Sequence, residues 1–506
     1  METTRRLAVP AVCAAVAWLL YVLPGVTGAF GPFIDELYYV SCAKRLAWGY
    51  VDHPPLAMAV LRGGLEIFGD SLWTLRAMAA SIGAAVVFLT GWLSGRLGAS
   101  RYGQAIACAA VISAPLLQVL FGFYSMNAFE LLLWLVLGIV VIELARTRNP
   151  RLWLAFGVVA GLALLTKHTV TTYVFALGAA MILTRARRDL LTPWVVAGAG
   201  MAALIALPNV LWQQAHDWVS LEFYRNAALH KNNPASAVEV VVQQVLFMSP
   251  GVLPVTIAGL VYLWRARAAG DLRHLALQFG IMLALLIWSA QSRPDRLAGL
   301  YPLIFAAGGV VIGQWASRRW VRWSLPVWLV AWGALLLPIG TPVLTPEATS
   351  DHLARLGIEI QTERGEGKRT ALPQHFADRI GWPALVDDVA AVRDSLPEGQ
   401  RDVPVFAQSY GQASALDWLG AARGFTRVHA IHNTWHLWGP PADNPPVAIV
   451  LGDRRERLEE LFAEVVEARR HQCGACMPWR NNMPIWIVRE PKVDIRVVWK
   501  DWGHYE

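Results

Sequence analysis

Between Gly28 and Leu56 the chain reads GAFGPFIDELYYVSCAKRLAWGYVDHPPL. It sets two acidic sites, Asp35-Glu36 and Asp52, between hydrophobic segments long enough to span a bilayer. Carboxylates placed just outside hydrocarbon can take a proton from a hydroxyl, bind that hydroxyl, or hold a cation. Pro54 and Pro55 follow Asp52-His53 and fix the backbone, so the turn that presents Asp52 is stiff. Charges in a polar loop are also often simply solvated. Two acids on one short, ordered loop favour the chemical reading over that plainer one.

The elements that must position these acids are membrane spans. The 506 residues are 55% hydrophobic and 16% charged, with a mean hydropathy of +0.40, outside the range of soluble domains. Apolar runs near 7–26, 72–94, 103–123, 128–145, 152–166, 169–184, 193–212, 239–264, 272–290, 297–316 and 322–339 predict an α-helical polytopic membrane protein of about eleven transmembrane helices. The first run follows a basic start without a clear small-residue cleavage site, so it is expected to be an uncleaved span. The net charge of +7 resides largely in arginine clusters between spans: Arg5-Arg6, Arg96/Arg101, Arg146/Arg148/Arg151, Arg185/Arg187/Arg188, Arg265/Arg267/Arg273 and Arg318/Arg319/Arg322. These set topology, with the N-terminus cytoplasmic, and no nucleic-acid motif accompanies them. The first loop, Tyr124–Asn127, Thr166–His168, Gln213–Ala237, Gln291–Arg296 and everything after about residue 340 then share the opposite face. Trp48, Tyr50, Trp212, Trp218 and Trp264 fit aromatic anchoring in the surrounding membrane lipid.

After residue 340 the long apolar runs stop, which divides the chain into a membrane domain, 1–340, and an extracytoplasmic α/β domain, 341–506. Strands are expected at 403–407, 447–451 and 485–488, and helices at 384–395, 411–419 and 454–469. The last helix rests on Leu458, Leu461, Phe462, Val465 and Val466 at helical spacing. His429, His432 and His436 lie close together but follow no zinc-ligand pattern, and read as structural. Cys473 and Cys476 form C-x-x-C, open to a redox, zinc or disulfide reading; on an oxidising face, without a second such pair, a structural disulfide is favoured. Gly452-Asp453 lacks the rest of a nucleotide-binding turn.

The run Asp35-Glu36-Leu37-Tyr38-Tyr39, then Gly49, Asp52-His53-Pro54-Pro55-Leu56, Phe68-Gly69 and Arg76, resembles the first extracytoplasmic loop of GT-C-type membrane glycosyltransferases. Among them it is most similar to family 39, the bacterial relatives of protein O-mannosyltransferases and lipid A aminoarabinose transferase. Tyr124–Glu130, Leu164–Lys167, Glu222–Asn226, Tyr301-Pro302 and Trp435–Pro441 extend the resemblance along nearly the whole chain. It implies a GT-C fold and an inverting transfer of a sugar from a polyprenyl-phosphate carrier to a glycan, lipid or protein acceptor at the outer face of a bacterial inner membrane. Asp35 matches the likely base, Glu36 adjoins it as a helper, and Asp52 matches the second acidic position. Where some members carry a further aspartate this chain has Asn127, which adds no charge, so a divalent cation stays an open question.

A carrier phosphate needs cations where membrane meets water. Lys167 leads, with Arg293, Arg296 and Arg76 as further candidates. Lys167 can also simply snorkel, and Arg293 and Arg296 can form an ordinary ion-paired turn with Asp295. His53, Asn127, Tyr224 and Arg225 are candidates for the loops around donor or acceptor. The competing class is a transporter or flippase of a lipid-linked glycan, which tends to show symmetric halves and midplane polar groups that are not evident here.

Overall fold

The computed structural model describes residues 2–231, 233–265, 271–290, 293–358, 360 and 370–506. Arg267 and Gln291 lie outside the described residues, and of Arg5 and Arg6 only the backbone is described.

Six helices among the described residues are long and apolar enough to cross a membrane: Leu7–Thr27, Leu72–Arg96, Met126–Thr147, Pro193–Ala215, Pro294–Trp315 and Arg319–Gly340. The protein is therefore a multi-pass membrane protein of mainly helical architecture. Two expected spans are broken. Arg101–Ile112 bends by 71° into Pro115–Phe121, and Ala237–Met248 bends by 88° into Pro250–Arg265. Both breaks fall at a proline, which removes an N–H and clashes with the preceding turn. Leu152–Leu164, Val170–Ile182 and Arg273–Trp288 are shorter than a full crossing, so the expected eleven full-length spans are not reproduced.

The segment Pro294–Trp315 is the central one, 83% buried. It approaches Arg101–Ile112 so closely that a Cβ on Gly103 would lie 2.2 Å from the Gly309 carbonyl oxygen; small residues are what permit such backbone contact between helices in lipid. Outlying helices expose apolar side chains instead, among them Val196 and Leu204 on one and Trp320, Trp323 and Val330 on another. Apolar faces of this kind belong against acyl chains.

The C-terminal part holds a five-stranded sheet: β1 Val405–Ala407, β2 Val428–Ala430, β3 Val447–Leu451, β4 Phe462–His471 and β5 Met483–Pro491. The order is β2-β1-β3-β5-β4. β1 pairs in parallel with β2 and β3, whereas β5 runs antiparallel to β3 and β4. The helix expected over 454–469 is a correction: only Arg455–Leu461 is helical, and from Phe462 the chain becomes β4. Pairing with β5 outweighs a short helical repeat, because most residues from Phe462 to His471 gain a ladder partner, with a bulge between Glu467 and Arg469, and the exposed charges of Glu464, Glu467, Arg469 and Arg470 protect the sheet edge.

This sheet unit and the first loop share one core. Leu37, Tyr38 and Val40 from the helix Ile34–Lys44 pack with Leu385, Val386, Leu416 and Ile449. Polar ties lock the same contact: Ser41 Oγ donates to Asp417 Oδ2 at 2.8 Å, and Arg45 reaches Asp417 Oδ1 at 2.8 Å while lying over the rings of Trp435 and Trp438.

Candidate functional site

Asp35 and Glu36 open the helix Ile34–Lys44, where acidic side chains complement the positive end of the helix dipole. They then diverge. Glu36 has no solvent exposure. Its Oε2 accepts the Phe33 N–H at 2.8 Å and meets Arg76 Nη2 at 2.9 Å, and its Oε1 accepts the Tyr124 N–H at 2.8 Å. Arg76 in turn donates to the carbonyls of Gly122 and Gly31. Buried Arg379 lies beside this pair, over the rings of Phe123 and Phe376, and Arg76 and Glu36 both act on its charge. The expected helper role of Glu36 and the expected phosphate contact of Arg76 do not fit this placement, since each is spent inside the protein on the other and on backbone groups.

Asp35 keeps some solvent contact. Its Oδ1 accepts the Tyr410 hydroxyl at 2.9 Å. Burial, and to a lesser degree the negative charge of Asp52, push its carboxyl up from the ordinary 3.8 to about 7, against the Tyr410 hydrogen bond and the charge of Lys231. A carboxylate poised there can accept a proton near neutral pH far better than an ordinary aspartate.

Asp52 accepts the Tyr38 hydroxyl at 2.8 Å. The same hydroxyl shares a 2.6 Å hydrogen bond with Thr434 Oγ1, which also receives the Val51 N–H. The rings of Tyr38 and Tyr410 are 4.8 Å apart, so the two acids are joined through two tyrosines, one from each part of the chain. His53 was expected to line a ligand loop; it is instead fully buried among Tyr38, Tyr39 and Tyr50, with Nδ1 against the Pro54 carbonyl. Burial holds its ring neutral, with a lowered proton affinity.

The cations lie on a neighbouring wall. Lys167 donates to Asn127 Oδ1 at 2.8 Å and to Glu130 Oε2 at 2.9 Å, and Thr169 also bonds Glu130. An ammonium has three donors, so Lys167 has one left for an incoming anion. It is part-buried and anchored by these partners, which is not the geometry of a side chain stretching to water. Arg293 grips both oxygens of Asp295, at 3.1 and 3.2 Å; this is the ordinary ion-paired turn. Arg296 is half-buried beside it, and the charges of Arg293, Lys167 and Arg296 all bear on Asp295. Tyr224 spans the gap: its hydroxyl meets His168 Nδ1 at 2.9 Å, and it feels the charges of both Asp52 and Glu130. Arg225 is exposed on the helix Val219–His230. The Cys473–Cys476 pair is disulfide-bonded. The three histidines of the sheet unit face backbone and phenol groups: His429 the Gly439 carbonyl, His432 the Glu506 carbonyl, and His436 the Tyr505 hydroxyl.

Tyr410, Glu130, His168 and Thr434 are additions that sequence reasoning missed. Glu130 and His168 each lie within a helical turn of a residue singled out there, Asn127 and Lys167, and that spacing was the available signal.

Residues 52–212 match the sequence family described as dolichyl-phosphate-mannose-protein mannosyltransferase. Across the whole molecule, the structure of ArnT from Cupriavidus metallidurans bound to undecaprenyl phosphate superposes with a TM-score of 0.60 at 14% identity, over 94% of this chain and 97% of that one. This chain has the fold of that ArnT structure. Its apo counterpart gives 0.59 at 14% identity, over 96% and 98%. Lipid A galacturonosyltransferase RgtD of Rhizobium johnstonii is 29% identical over 187 residues, 37% of this chain and 39% of that protein, so the match spans about two-fifths of the relative's length. In this chain the sheet unit reaches the first loop through the Tyr410–Asp35 and Tyr38–Thr434 hydrogen bonds, and Tyr224 meets His168, next to Lys167.

Proposed function

We propose that the protein is an inverting glycosyltransferase that moves a sugar from a polyprenyl-phosphate carrier to an acceptor hydroxyl at the outer face of the membrane. The observation that carries this reading is a carboxyl raised to about 7 at Asp35, joined to Asp52 through Tyr38 and Tyr410, with Tyr224 linking Asp52 electrostatically to the Glu130–Lys167 pair. In that reading Asp35 takes the proton of the acceptor hydroxyl as its oxygen attacks the anomeric carbon. The bond from that carbon to the carrier phosphate breaks on the opposite side, which inverts the configuration. Lys167, with its remaining donor, and Arg296 stabilise the charge that grows on the departing phosphate. Asp52 and Tyr38 hold the acceptor, and Glu36 with Arg76 holds the helix turn that aims Asp35. Among the described residues no three imidazole, thiol or carboxylate groups converge to hold a metal ion, and Asn127 is engaged by Lys167, so no step is routed through one. Support for a lipid-phosphate donor comes from the superposed relative, whose structure holds undecaprenyl phosphate. Asp35 and Asp52 are tied by hydrogen bonds to the sheet unit, through Tyr410 and through Tyr38 with Thr434, which argues for chemistry over passage through the bilayer.

Two consequences are measurable in steady-state kinetics. Lys167→Ala should raise the donor KM by about 10–100-fold, the worth of a charge-assisted hydrogen bond, and leave the acceptor KM nearly unchanged. Lys167→Arg should recover part of the loss. An unaltered donor KM in the alanine variant would remove Lys167 from the phosphate site. Tyr410→Phe deletes a hydrogen bond that favours the charged form of Asp35. The rate falls as pH drops through the Asp35 titration, so this variant should shift the midpoint of that acid limb upward by about one pH unit. A purely structural tyrosine would lower the rate at every pH without moving the limb.

Purified protein assayed against a panel of polyprenyl-phosphate sugars tests the reading as a whole. Release of free polyprenyl phosphate with one donor and an added acceptor is the expected result.

A further inference from the structure

β4 and β5 are joined by a loop whose Cys473–Cys476 bond differs at its two ends. Cys473 is half-buried and flanked by exposed Gln472 and Gly474, whereas Cys476 is 6% exposed and adjoins Met477, which is fully buried. An attacking thiolate can therefore reach only Cys473. The last residue of β4, His471, is also buried, and its Nδ1 lies 2.8 Å from Asp388 Oδ2 on the helix Trp382–Asp394. The other oxygen of Asp388 takes Arg469 Nε at 2.5 Å. Asp388 thus fixes the imidazole through Nδ1, leaving Nε2 as the working nitrogen.

Gly381 shows where that nitrogen points. A Cβ built there would sit 2.5 Å from Cys473 Cβ, 3.4 Å from Cys473 Sγ and 3.6 Å from His471 Nε2, so Gly381 packs closely on Cys473, and the sulfur and the nitrogen both lie near that one point. Gly381 has φ +91°, a conformation that side chains resist, and its lack of a side chain permits this close approach. The N–H groups of Cys473 and Gly474 both donate to Asn481 Oδ1, which holds the loop in shape. A bond between residues only three apart closes a very short loop and adds little to stability by constraining the unfolded chain. The buried histidine–carboxylate pair, which ties the end of β4 to the helix Trp382–Asp394, also stands beside half-buried Cys473.

We propose that Cys473–Cys476 is a thiol–disulfide exchange site whose partner is a protein dithiol, with Cys473 as the reacting sulfur and His471–Asp388 as its proton and charge partner. In the forward direction a partner thiolate attacks Cys473 Sγ; a mixed disulfide forms, the bond to Cys476 breaks, and Cys476 leaves as thiolate and is protonated. The partner's second thiolate then attacks its own sulfur in the mixed disulfide, and Cys473 leaves as thiolate beside His471. Two electrons and two protons pass to the pair, and the partner becomes a disulfide. In reverse, the same Cys473 thiolate is the nucleophile toward an oxidised partner.

The test uses the full chain in detergent, with iodoacetamide as the probe and mass spectrometry to read each cysteine. In Cys476→Ser, alkylation of Cys473 should reach half its maximal rate clearly below the ordinary thiol value of about 8.5. Adding His471→Gln should move that midpoint up and lower the rate at pH 6.5 by about tenfold. An ordinary thiol profile, or one indifferent to His471, overturns the proposal. The unaltered protein gives an independent reading that no folding defect can blur: after brief dithiothreitol treatment Cys473 should be alkylated ahead of Cys476. Equal labelling, Cys476 first, or a bond that opens only on denaturation contradicts it.

Discussion

Asp35→Asn should lower the rate of sugar transfer by about 10²–10⁴-fold, the usual worth of a positioned general base, with little change in donor KM. An asparagine oxygen still accepts from Tyr410, so the local geometry survives while the ability to take a proton is lost. The pH dependence sharpens this. Folding raises the Asp35 carboxyl from 3.8 to about 7. Between those values the folded protein binds more protons than the unfolded chain, so ionising Asp35 erodes stability as pH rises through that window. The asparagine variant escapes this cost and should be at least as stable as the parent near pH 7, so a loss of turnover there reflects chemistry. The parent should lose activity as pH falls below about 7, and the variant should show no such limb. Retention of activity within a few-fold, or an unchanged acid limb, would take Asp35 out of the base role.

Glu36→Gln should be the most damaging of the neighbouring substitutions, through folding instead of rate. It strips the counter-charge from Arg76 where both side chains are fully buried, and leaves Arg379 beside an uncompensated guanidinium. Breaking one partner of a buried pair costs about 3–5 kcal/mol. Thermal unfolding in detergent should shift sharply downward, and neutralising both partners, Glu36→Gln with Arg76→Gln, should recover part of the loss. A Glu36→Gln protein as stable as the parent but slow would instead restore a chemical role for Glu36.

The contrast between these adjacent acids explains how far the sequence could be read. Hydropathy and arginine placement were enough to expect a polytopic helical protein and to gather Asp35, Asp52, Lys167, Asn127 and Tyr224 into neighbouring loops, because those signals are local. Nothing local distinguishes Asp35 from Glu36. Their fates are decided by Tyr124 and Arg76 on one side and Tyr410 on the other, and Tyr410 lies 375 residues along the chain from its partner. The same holds for Thr434, which reaches Tyr38 across a sequence separation of 396. His53, beside an acid and two prolines, has the look of a ligand residue; only the packing of three tyrosines around it reveals a buried ring. Within the sheet unit, the apolar spacing from Leu458 to Val466 fits a helix until β5 is placed beside it and supplies backbone partners. Pro115 and Pro250 were visible all along, but their consequence, a bend of 71° or 88° within a hydrophobic run, depends on the neighbours that satisfy the broken turn.

The shared core of the first-loop helix and the sheet unit gives the C-terminal part a direct place in the account. It supplies Tyr410 to Asp35 and Thr434 to the Tyr38–Asp52 pair, and clamps Ser41 and Arg45 through Asp417. The sheet unit therefore completes the hydrogen bonding of the candidate site and is not an appendage to it.

The most direct test of the central claim is to reconstitute the purified protein in liposomes with a radiolabelled polyprenyl-phosphate sugar and an acceptor extract, and to follow the carrier and the sugar together. The account predicts that free polyprenyl phosphate accumulates in step with labelled acceptor of inverted anomeric configuration, and that both vanish in Asp35→Asn. Transit of the intact sugar-bearing carrier across the bilayer, unaffected by Asp35→Asn and without release of polyprenyl phosphate, would contradict it.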